Sequence, residues 1–248
     1  MTTPAVAECL VCGKETKNRC SSCAKAGIDL FFCSPEHQKL VWHVHRLFCG
    51  PGKANPWRWP LLSPDEVQAA IATLDLVSVT HSESKTLADQ LLRIYNEPRE
   101  RLPDIIRSLS GPTGLPLDYE TSALACVRMH AHFVRGNNLK NDGILKPSPP
   151  LEILTSLRLS SFLYCFRDDP PPWVTGYLHR LSIFVALLTG KTYSDEQVKY
   201  LVNSIDGVYR YLDTVAETDP EGARMVEGGF RRFLEKFSSR PTAPSGRM

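Results

Sequence analysis

Residues 33–49 read CSPEHQKLVWHVHRLFC, and this stretch decides how the first fifty residues fold. Cys33 and His37 stand four positions apart, and so do His45 and Cys49. Residues four apart lie on the same face of an α-helix, with Cβ atoms about 5–6 Å from each other. The sequence therefore predicts a helix that offers one pair of metal-binding side chains near each of its ends.

Two further pairs of cysteines precede this stretch. Cys9 with Cys12, and Cys20 with Cys23, each have the two-residue spacing that is typical of a zinc knuckle. Together with the helical pairs they make eight ligand-type residues within 41 positions. This density of thiol and imidazole groups predicts two bound zinc ions.

The four pairs could combine in chain order or in alternation. The two helical pairs begin 12 residues apart, which is about 18 Å along a straight helix at ~1.5 Å per residue. A single ion could hold both pairs only if the chain reversed within residues 38–44, and that segment contains no Gly or Pro. Alternation avoids the problem, so we expect a cross-brace. Its first zinc site would use Cys9, Cys12, Cys33 and His37, and its second would use Cys20, Cys23, His45 and Cys49.

The motif C-S-x-x-H-Q-x-x-x-W-x-x-H-R-x-x-C behind two C-x-x-C pairs resembles the MYND-type zinc finger. The resemblance covers about residues 9–49. It implies interleaved zinc sites, a finger without catalytic activity, and binding of proline-containing peptides of the form P-x-L-x-P from partner proteins. It also implies that Ser21, Gln38 and Trp42 line the peptide groove.

The chain departs from this resemblance at His37, where the family usually has Cys. The first site would then be Cys₃His, one negative charge short of Cys₄. We expect it to be the weaker of the two for that reason, and we expect His37 to need a hydrogen-bond acceptor that fixes its ring.

Charge argues against nucleic acid as a partner. The 248 residues have a formal net charge of +2, and residues 1–60 hold eight Lys and Arg against four Asp and Glu. Six zinc-bound thiolates and two Zn²⁺ would bring the total close to zero. Nucleic-acid binding draws most of its free energy from clustered positive charge, which this balance does not provide.

Neither a membrane nor the secretory pathway is expected. The N-terminus MTTPAVAECL has no basic segment followed by an apolar one, as a secretory signal would. The most apolar run, residues 181–188, is far shorter than the ~20 residues of a membrane span. Zinc thiolates without disulfides suit a reducing compartment, so we expect a nuclear or cytoplasmic protein.

Beyond the finger, the sequence predicts an all-α domain of about seven helices, so that the fold as a whole is mainly α. Capping boxes open helices at Ser63–Glu66 and Ser194–Gln197. Apolar spacing predicts a further helix from Ser84 to about Asn96, and longer helices over 119–135, 150–167 and 173–189. The segment 76–80 is β-branched and remains ambiguous. The expected organisation is a flexible N-terminus (1–8), the finger (9–49), a Pro/Gly/Trp linker (50–62), the helical domain (63–237) and a disordered tail (238–248).

No motif outside the finger carries a catalytic assignment. The sequence lacks a glycine-rich phosphate loop, a G-x-S-x-G motif and the N-H-S-C-x-P-N-like segment of SET methyltransferases. We therefore predict that the chain is not an enzyme; the alternative is an active site in the helical domain, with the finger as a recruiting arm. Several groups are more simply explained as ordinary helix or core residues: Cys126 with His130, Cys165, His81 with Glu83, and Asp168 with Asp169.

One segment of the linker fits the peptide motif itself. Pro60–Pro64 reads PLLSP, which matches P-x-L-x-P, and ten residues separate it from Cys49. Its simpler interpretation is a linker that runs into a capped helix. The alternative is that it docks against Gln38 and Trp42, in cis or from a second molecule.

Overall fold

The computed structural model of the chain describes residues 7–53, 59–79, 84–111, 117–142, 149–160, 171–190 and 194–238. Several predictions lie wholly or partly outside these residues: positions 1–6 of the flexible N-terminus expected over 1–8, Trp57 in the linker, His81 with Glu83, the end of the helix expected over 150–167 with Cys165, Asp168 with Asp169, and positions 239–248 of the tail. Residues 7 and 8 of the expected flexible segment form a strand.

The finger contains a short hairpin and one regular helix. Strand β1 (Ala7–Glu8) pairs antiparallel with β2 (Glu15–Thr16), and a single turn, α1 (Ser21–Ala24), follows. Helix α2 (Pro35–His45) is capped by Ser34, whose side chain accepts a hydrogen bond from the His37 amide. Proline at the first helical position and a serine cap are the signals that start a helix at this point.

The remainder is a helical domain that includes one small hairpin, and the prediction of a mainly α chain is confirmed. Strands β3 (Val77–Val79) and β4 (Ser84–Thr86) pair antiparallel, and a 3₁₀ turn covers Arg99–Arg101. The helices are α3 (Pro64–Ala72), α4 (Leu87–Tyr95), α5 (Leu102–Ser108), α6 (Leu117–Asp142), α7 (Pro150–Ser160), α8 (Pro172–Leu188), α9 (Asp195–Ala216) and α10 (Pro220–Ser238).

Two helix boundaries differ from the predictions. A helix was expected from Ser84, but residues 84–86 form β4, and Thr86 caps α4 through a reciprocal pair of hydrogen bonds with Asp89. Helix α6 was expected to end near residue 135, yet it continues to Asp142. Glycine and asparagine in a helix cost only about 0.5–1 kcal/mol each, and no proline interrupts the chain before Pro147.

Helix α8 lies at the centre of the molecule and is buried along most of its length, including Leu181, Phe184 and Val185. It packs against α2 of the finger and against α7 and α9. A helix that is apolar all round belongs in an interior. As a result, the buried side chains of the finger, such as Val41 and Val44, join those of the helical domain in one continuous core.

The end of the linker is anchored in the helical domain. Trp59 is 6% exposed and lies against two guanidinium groups, 4.6 Å from Arg158 and 5.9 Å from Arg128, measured to its ring centroid. The Leu62 amide donates to the carbonyl of Leu109 at 3.0 Å. Within the described residues, no helix combines the length and the apolar character that crossing a bilayer requires.

Candidate metal centres and the surface around them

The first pair of cysteines lies in a tight turn after β1. The Cys9 amide donates to the Lys14 carbonyl, and the Gly13 amide donates to the Cys9 carbonyl, each at 2.9 Å. Gly13 has a φ of +71°, a conformation that glycine adopts without steric cost. A Cβ at this position would also lie 2.5 Å from the Asn203 side chain. Glycine therefore permits both the turn and the close approach of α9.

The second pair is presented by α1. Cys20 precedes this turn and Cys23 lies within it. The Cys20 carbonyl accepts from the Ala24 amide, and the Cys23 carbonyl accepts from the Ile28 amide, each at 3.0 Å. These backbone hydrogen bonds close the knuckle and direct both thiols to the same side.

The structure brings Cys9, Cys12, Cys33 and His37 together. The Sγ atom of Cys33 lies 3.1 Å from His37 Nδ1 and 3.6 Å from the Sγ atom of Cys12. His37 Nδ1 also lies 3.5 Å from the Sγ atom of Cys9. All four ligand atoms lie within 4.8 Å of one another.

It likewise brings together Cys20, Cys23, His45 and Cys49. The Sγ atom of Cys49 lies 3.5 Å from that of Cys20 and 3.8 Å from that of Cys23. His45 Nε2 lies 3.5 Å and 3.7 Å from the same two sulfur atoms. In each group a knuckle from the N-terminal part meets a pair from the region of α2.

These distances fit zinc. Ligand bonds of about 2.0–2.3 Å in a tetrahedron place the ligand atoms roughly 3.5–3.8 Å apart. Most of the contacts within the two groups fall in that interval, and the shortest is 3.1 Å. When bound, zinc would supply a structural cross-link among four side chains and no open coordination position.

The pKa values of the thiols also indicate that the two groups need a bound cation. Burial raises the pKa of Cys33 to about 12 and holds that of Cys23 above its ordinary range. Burial acts in the same direction at Cys9 and Cys20, but hydrogen bonds from backbone amides and from neighbouring thiols outweigh it and lower the pKa of both. Three thiolates close together repel one another, and a divalent cation is what makes them compatible.

His45 is suited to act as a neutral ligand. It is fully buried, with its ring 5.7 Å from Phe32 and 5.8 Å from Trp42 between centroids. Burial lowers its pKa to about 4, so the imidazole is uncharged near neutral pH and its Nε2 lone pair can face a cation.

The hydrogen-bond acceptor that was expected to fix the His37 ring is present, and it belongs to the helical domain. Its Nε2 donates to the Tyr200 hydroxyl at 3.1 Å, and Tyr200 donates in turn to Glu196 Oε1 at 2.5 Å. Both residues lie on α9. This chain of donors keeps the proton on Nε2 and leaves the Nδ1 lone pair directed at the thiols.

Replacing Tyr200 with phenylalanine should weaken the first zinc site selectively. Loss of an acceptor behind a histidine ligand typically costs about 10–100-fold in metal affinity, because the tautomer and ring orientation are no longer fixed. Chelator competition, followed by the release of each zinc ion, would measure the effect.

Tyr209→Phe is the matched control for that experiment. It removes a hydroxyl from the same helix, but the ring of Tyr209 packs against Phe230 of α10. Equal release rates in wild type, Tyr200→Phe and Tyr209→Phe would contradict the role given to Tyr200.

The residues suggested for peptide binding surround the second group. Gln38 donates through Nε2 to the Sγ atom of Cys20 at 3.4 Å, and the exposed Ser21 follows that cysteine directly. Trp42 lies one turn beyond Gln38 on α2 and is 44% exposed. Its ring contacts His45 only at an edge, so a large part of the indole faces outward.

Pro60–Pro64 is engaged with the helical domain. Leu62 is 3% exposed, and the Leu61 carbonyl accepts from Arg128 Nη2 at 3.3 Å. Ser63 caps α3 in a reciprocal pair with Glu66. The leucine at the centre of the motif is thus already buried, which counts against docking of this segment in cis.

Some contacts of the finger could not be found from the sequence. The Asn203 side chain donates to the Val11 carbonyl at 3.1 Å, and Arg210 pairs with Glu8 at 2.7 Å. His43 lies 3.2 Å from the Thr189 hydroxyl. These partners are more than a hundred positions from the finger, and nothing in their local sequence signals the contact.

The i, i+4 pair in α6 has an ordinary structural environment. His130 is buried, and its Nε2 donates to the Thr73 carbonyl at 2.9 Å. Burial raises the pKa of Cys126 to about 11, so its thiol stays protonated at neutral pH.

Comparison with known families matches residues 9–49 to the MYND finger. Neither the curated proteins nor the solved structures give a match to the chain. The matched range begins at Cys9 and ends at Cys49, which are the first and last members of the two Cys₃His groups. The prediction of two zinc ions is confirmed: residues 9–49 of this chain are a MYND finger, a zinc-binding module of protein–protein interaction.

Proposed function

We propose that the chain is a non-catalytic adaptor whose finger binds a proline-containing peptide of a partner protein, of the P-x-L-x-P type. Cys9, Cys12, Cys33 and His37 would hold one zinc ion, and Cys20, Cys23, His45 and Cys49 the other. Ser21, Gln38 and Trp42 would contact the peptide, and the helical domain would provide a second contact surface.

The exposure of Trp42 carries this proposal. A tryptophan that is 44% exposed leaves apolar surface in water, and such side chains are enriched among the residues that dominate binding energy. Trp42 is also held on a rigid support, because α2 is fixed at both ends by metal-binding groups. A rigid aromatic surface binds with little loss of side-chain entropy.

The neighbouring polar groups suit an extended peptide. Gln38 uses its amide N–H on Cys20, which leaves the side-chain carbonyl as an acceptor, and the Ser21 hydroxyl is exposed beside it. A proline-containing segment is already extended and loses little conformational entropy on binding. Its backbone amides and carbonyls could pair with these groups while a proline or leucine side chain packs on Trp42.

Binding can be measured with a synthetic peptide that contains PLLSP, the motif of residues 60–64. We expect a dissociation constant in the micromolar range, and Trp42→Ala should weaken binding by about tenfold or more, since a central aromatic anchor contributes over 1 kcal/mol. Leu76→Ala is the control, because Leu76 is also exposed but lies in the helical domain.

Two measurements make this test decisive. Elemental analysis should give two zinc ions in both variants, so that a loss of binding reflects the surface and not the fold. Retention of full affinity in Trp42→Ala would refute the peptide groove.

The thiolate ligands also favour a particular cellular compartment. Six thiolate ligands persist where thiols are kept reduced, so we place the adaptor in the nucleus or cytoplasm. The near-neutral charge favours protein partners over nucleic acid.

A further inference from the structure

A cleft separates the finger from the helical domain on the side of the first zinc group. Its volume is about 380 Å³. Leu10 and Phe31 of the finger form one wall, and Ile183 of α8 and Gly207 of α9 lie across from them. The cleft is therefore built from both parts of the chain and exists only when the finger is docked.

Arg180 of α8 lines this cleft and is held in a fixed position. Its guanidinium stacks on the Tyr211 ring, 3.9 Å from the centroid, and Nη1 donates to the Gly176 carbonyl at 3.1 Å. Tyr211 is itself fixed by donating to the Trp173 carbonyl at 2.7 Å. A planar guanidinium that is immobilised in this way is prepared for a bidentate partner.

No carboxylate within the described part of the chain pairs with Arg180. The other charged side chains of the cleft have partners: Arg210 pairs with Glu8, and Asp29 pairs with Arg19. Arg180 is partly buried, and burial holds the pKa of its guanidinium below the usual value. A partly buried cation without a counter-charge has lost hydration, which makes a bound anion its natural complement.

We propose that this cleft binds a carboxylate attached to a small apolar group, with Arg180 as its anchor. A single uncompensated cation suits a singly charged anion, and the carboxylates of Glu8 and Asp29 disfavour a phosphate with two charges. The apolar walls at Leu10, Phe31 and Ile183 accommodate the attached group. The ligand is either the C-terminus of a peptide that ends in an apolar residue or a short free carboxylic acid.

N-acetyl-leucine and its amide, N-acetyl-leucinamide, have nearly the same shape, but only the acid carries a negative charge. Comparing the two therefore measures what the charge contributes to binding. Calorimetric or NMR titration of the zinc-loaded full chain should show that the acid binds about tenfold or more tightly than the amide, as expected for a charge-assisted pair. Arg180→Gln should remove that difference. Equal binding of acid and amide, or no binding of the acid at millimolar concentration, would overturn the proposal.

Gly207→Leu provides a test that leaves Arg180 in place. A Cβ at Gly207 would meet only Arg210 Nη2, at 3.9 Å, so a larger side chain can project into the cleft without displacing the backbone. Binding of N-acetyl-leucine should then fall at least about tenfold, and unchanged binding would again contradict the site.

Two further variants define where the acid binds. Arg107→Gln is the matched control, since Arg107 is exposed, pairs with Asp104 and lies outside the cleft; it should change affinity by less than about threefold, as exposed pairs contribute little. Trp42→Ala should have no effect, which distinguishes this cleft from the proposed peptide groove.

Ligands of different length distinguish the C-terminus of a peptide from a short free acid as the source of the carboxylate. The peptide Ala-Ala-Ala-Leu with a free C-terminus should bind more tightly than N-acetyl-leucine if the cleft receives a peptide end. Hexanoate should match N-acetyl-leucine if it receives a free acid. Loss of binding when the peptide is amidated supports the carboxylate anchor, and equal binding of the amidated peptide refutes it.

Discussion

Replacing Cys23 with serine is expected to remove one zinc ion per chain and to destabilise the whole molecule, not the finger alone. Structural zinc contributes an apparent 10–16 kcal/mol to the folding of small finger peptides, so losing one site removes several kcal/mol here. Cys23 is fully buried, and a hydroxyl there would replace a thiolate that lies 3.7 Å from His45 Nε2 and 3.8 Å from the Sγ atom of Cys49.

The effect should spread because the finger shares its core with the helical domain. Helix α2 packs on α8, and Val41 and Val44 are fully buried in the common cluster. If the second zinc group fails, α2 loses its fixed C-terminal end and this apolar face opens to water. We expect the main unfolding transition to fall on the order of 10 °C or more, given 2–4 °C per kcal/mol for a chain of this size.

Elemental analysis and thermal unfolding followed by helical circular dichroism would test this expectation. Cys126→Ser is the control, since this cysteine lies in α6 outside both groups and should leave two zinc ions per chain. A variant that loses zinc but keeps the wild-type helical transition would show that the two parts unfold independently. A wild-type content other than two ions would reject the assignment itself.

The zinc groups could be predicted because their information is local. The four-residue spacing of Cys33 with His37 and of His45 with Cys49 predicts one pair near each end of a helix, and the rise of that helix keeps the two pairs from sharing an ion. In the structure α2 carries His37 and His45, whereas Cys33 precedes the helix and Cys49 follows it. Alternation with the knuckles then follows from distance alone, and the structure gathers the same residues.

The residues that contact the zinc groups from the helical domain could not be predicted, because these contacts join positions far apart in the sequence. Tyr200 contacts His37 from 163 positions away, and tyrosine on a helix has many roles. The sequence shows that His37 needs an acceptor but not which residue supplies it. The same holds for Arg180, whose lack of a counter-charge becomes visible only when α8, α9 and the finger are assembled.

The errors in the helical domain arose where local preference is weak. The β-branched residues around Val77 did not distinguish a helix from a strand. The segment is a strand because it pairs with Ser84–Thr86. The Thr86–Asp89 cap was a readable signal that was missed, because the apolar spacing suggested an earlier start. Helix α6 continues through Gly136 and three asparagines, although these residues have low helix propensity.

A second large effect is expected at Arg128 in α6, which is 1% exposed. Its Nε and Nη2 donate to the two carboxylate oxygens of Glu66 at 2.7 and 3.2 Å. Nη2 also donates to the Leu61 carbonyl at 3.3 Å, and the guanidinium contacts the Trp59 ring. This one side chain therefore ties the linker and α3 to the core of the helical domain.

Arg128→Ala should lower the free energy of unfolding by about 3 kcal/mol, the lower end of the range for breaking a buried pair, because Glu66 is partly exposed. Glu66 would keep its hydrogen bond to the Ser63 amide but lose its counter-charge. Arg107→Ala is the matched control: it breaks the Arg107–Asp104 pair, in which both side chains are mostly exposed, and should cost less than about 1 kcal/mol.

The pH dependence of this difference identifies its cause. Burial would raise the pKa of Glu66, but Arg128 outweighs it and lowers the pKa from the ordinary value of 4.5. A carboxyl group with a lowered pKa in the fold contributes stability above its unfolded pKa and loses it as pH falls through the folded one. The difference in stability between wild type and Arg128→Ala in urea unfolding should therefore be full at pH 7 and should shrink as pH falls below 4.5 and through the lowered pKa of Glu66. A difference that stays constant down to that acidic range would assign the loss to packing around Trp59 and not to the ion pair.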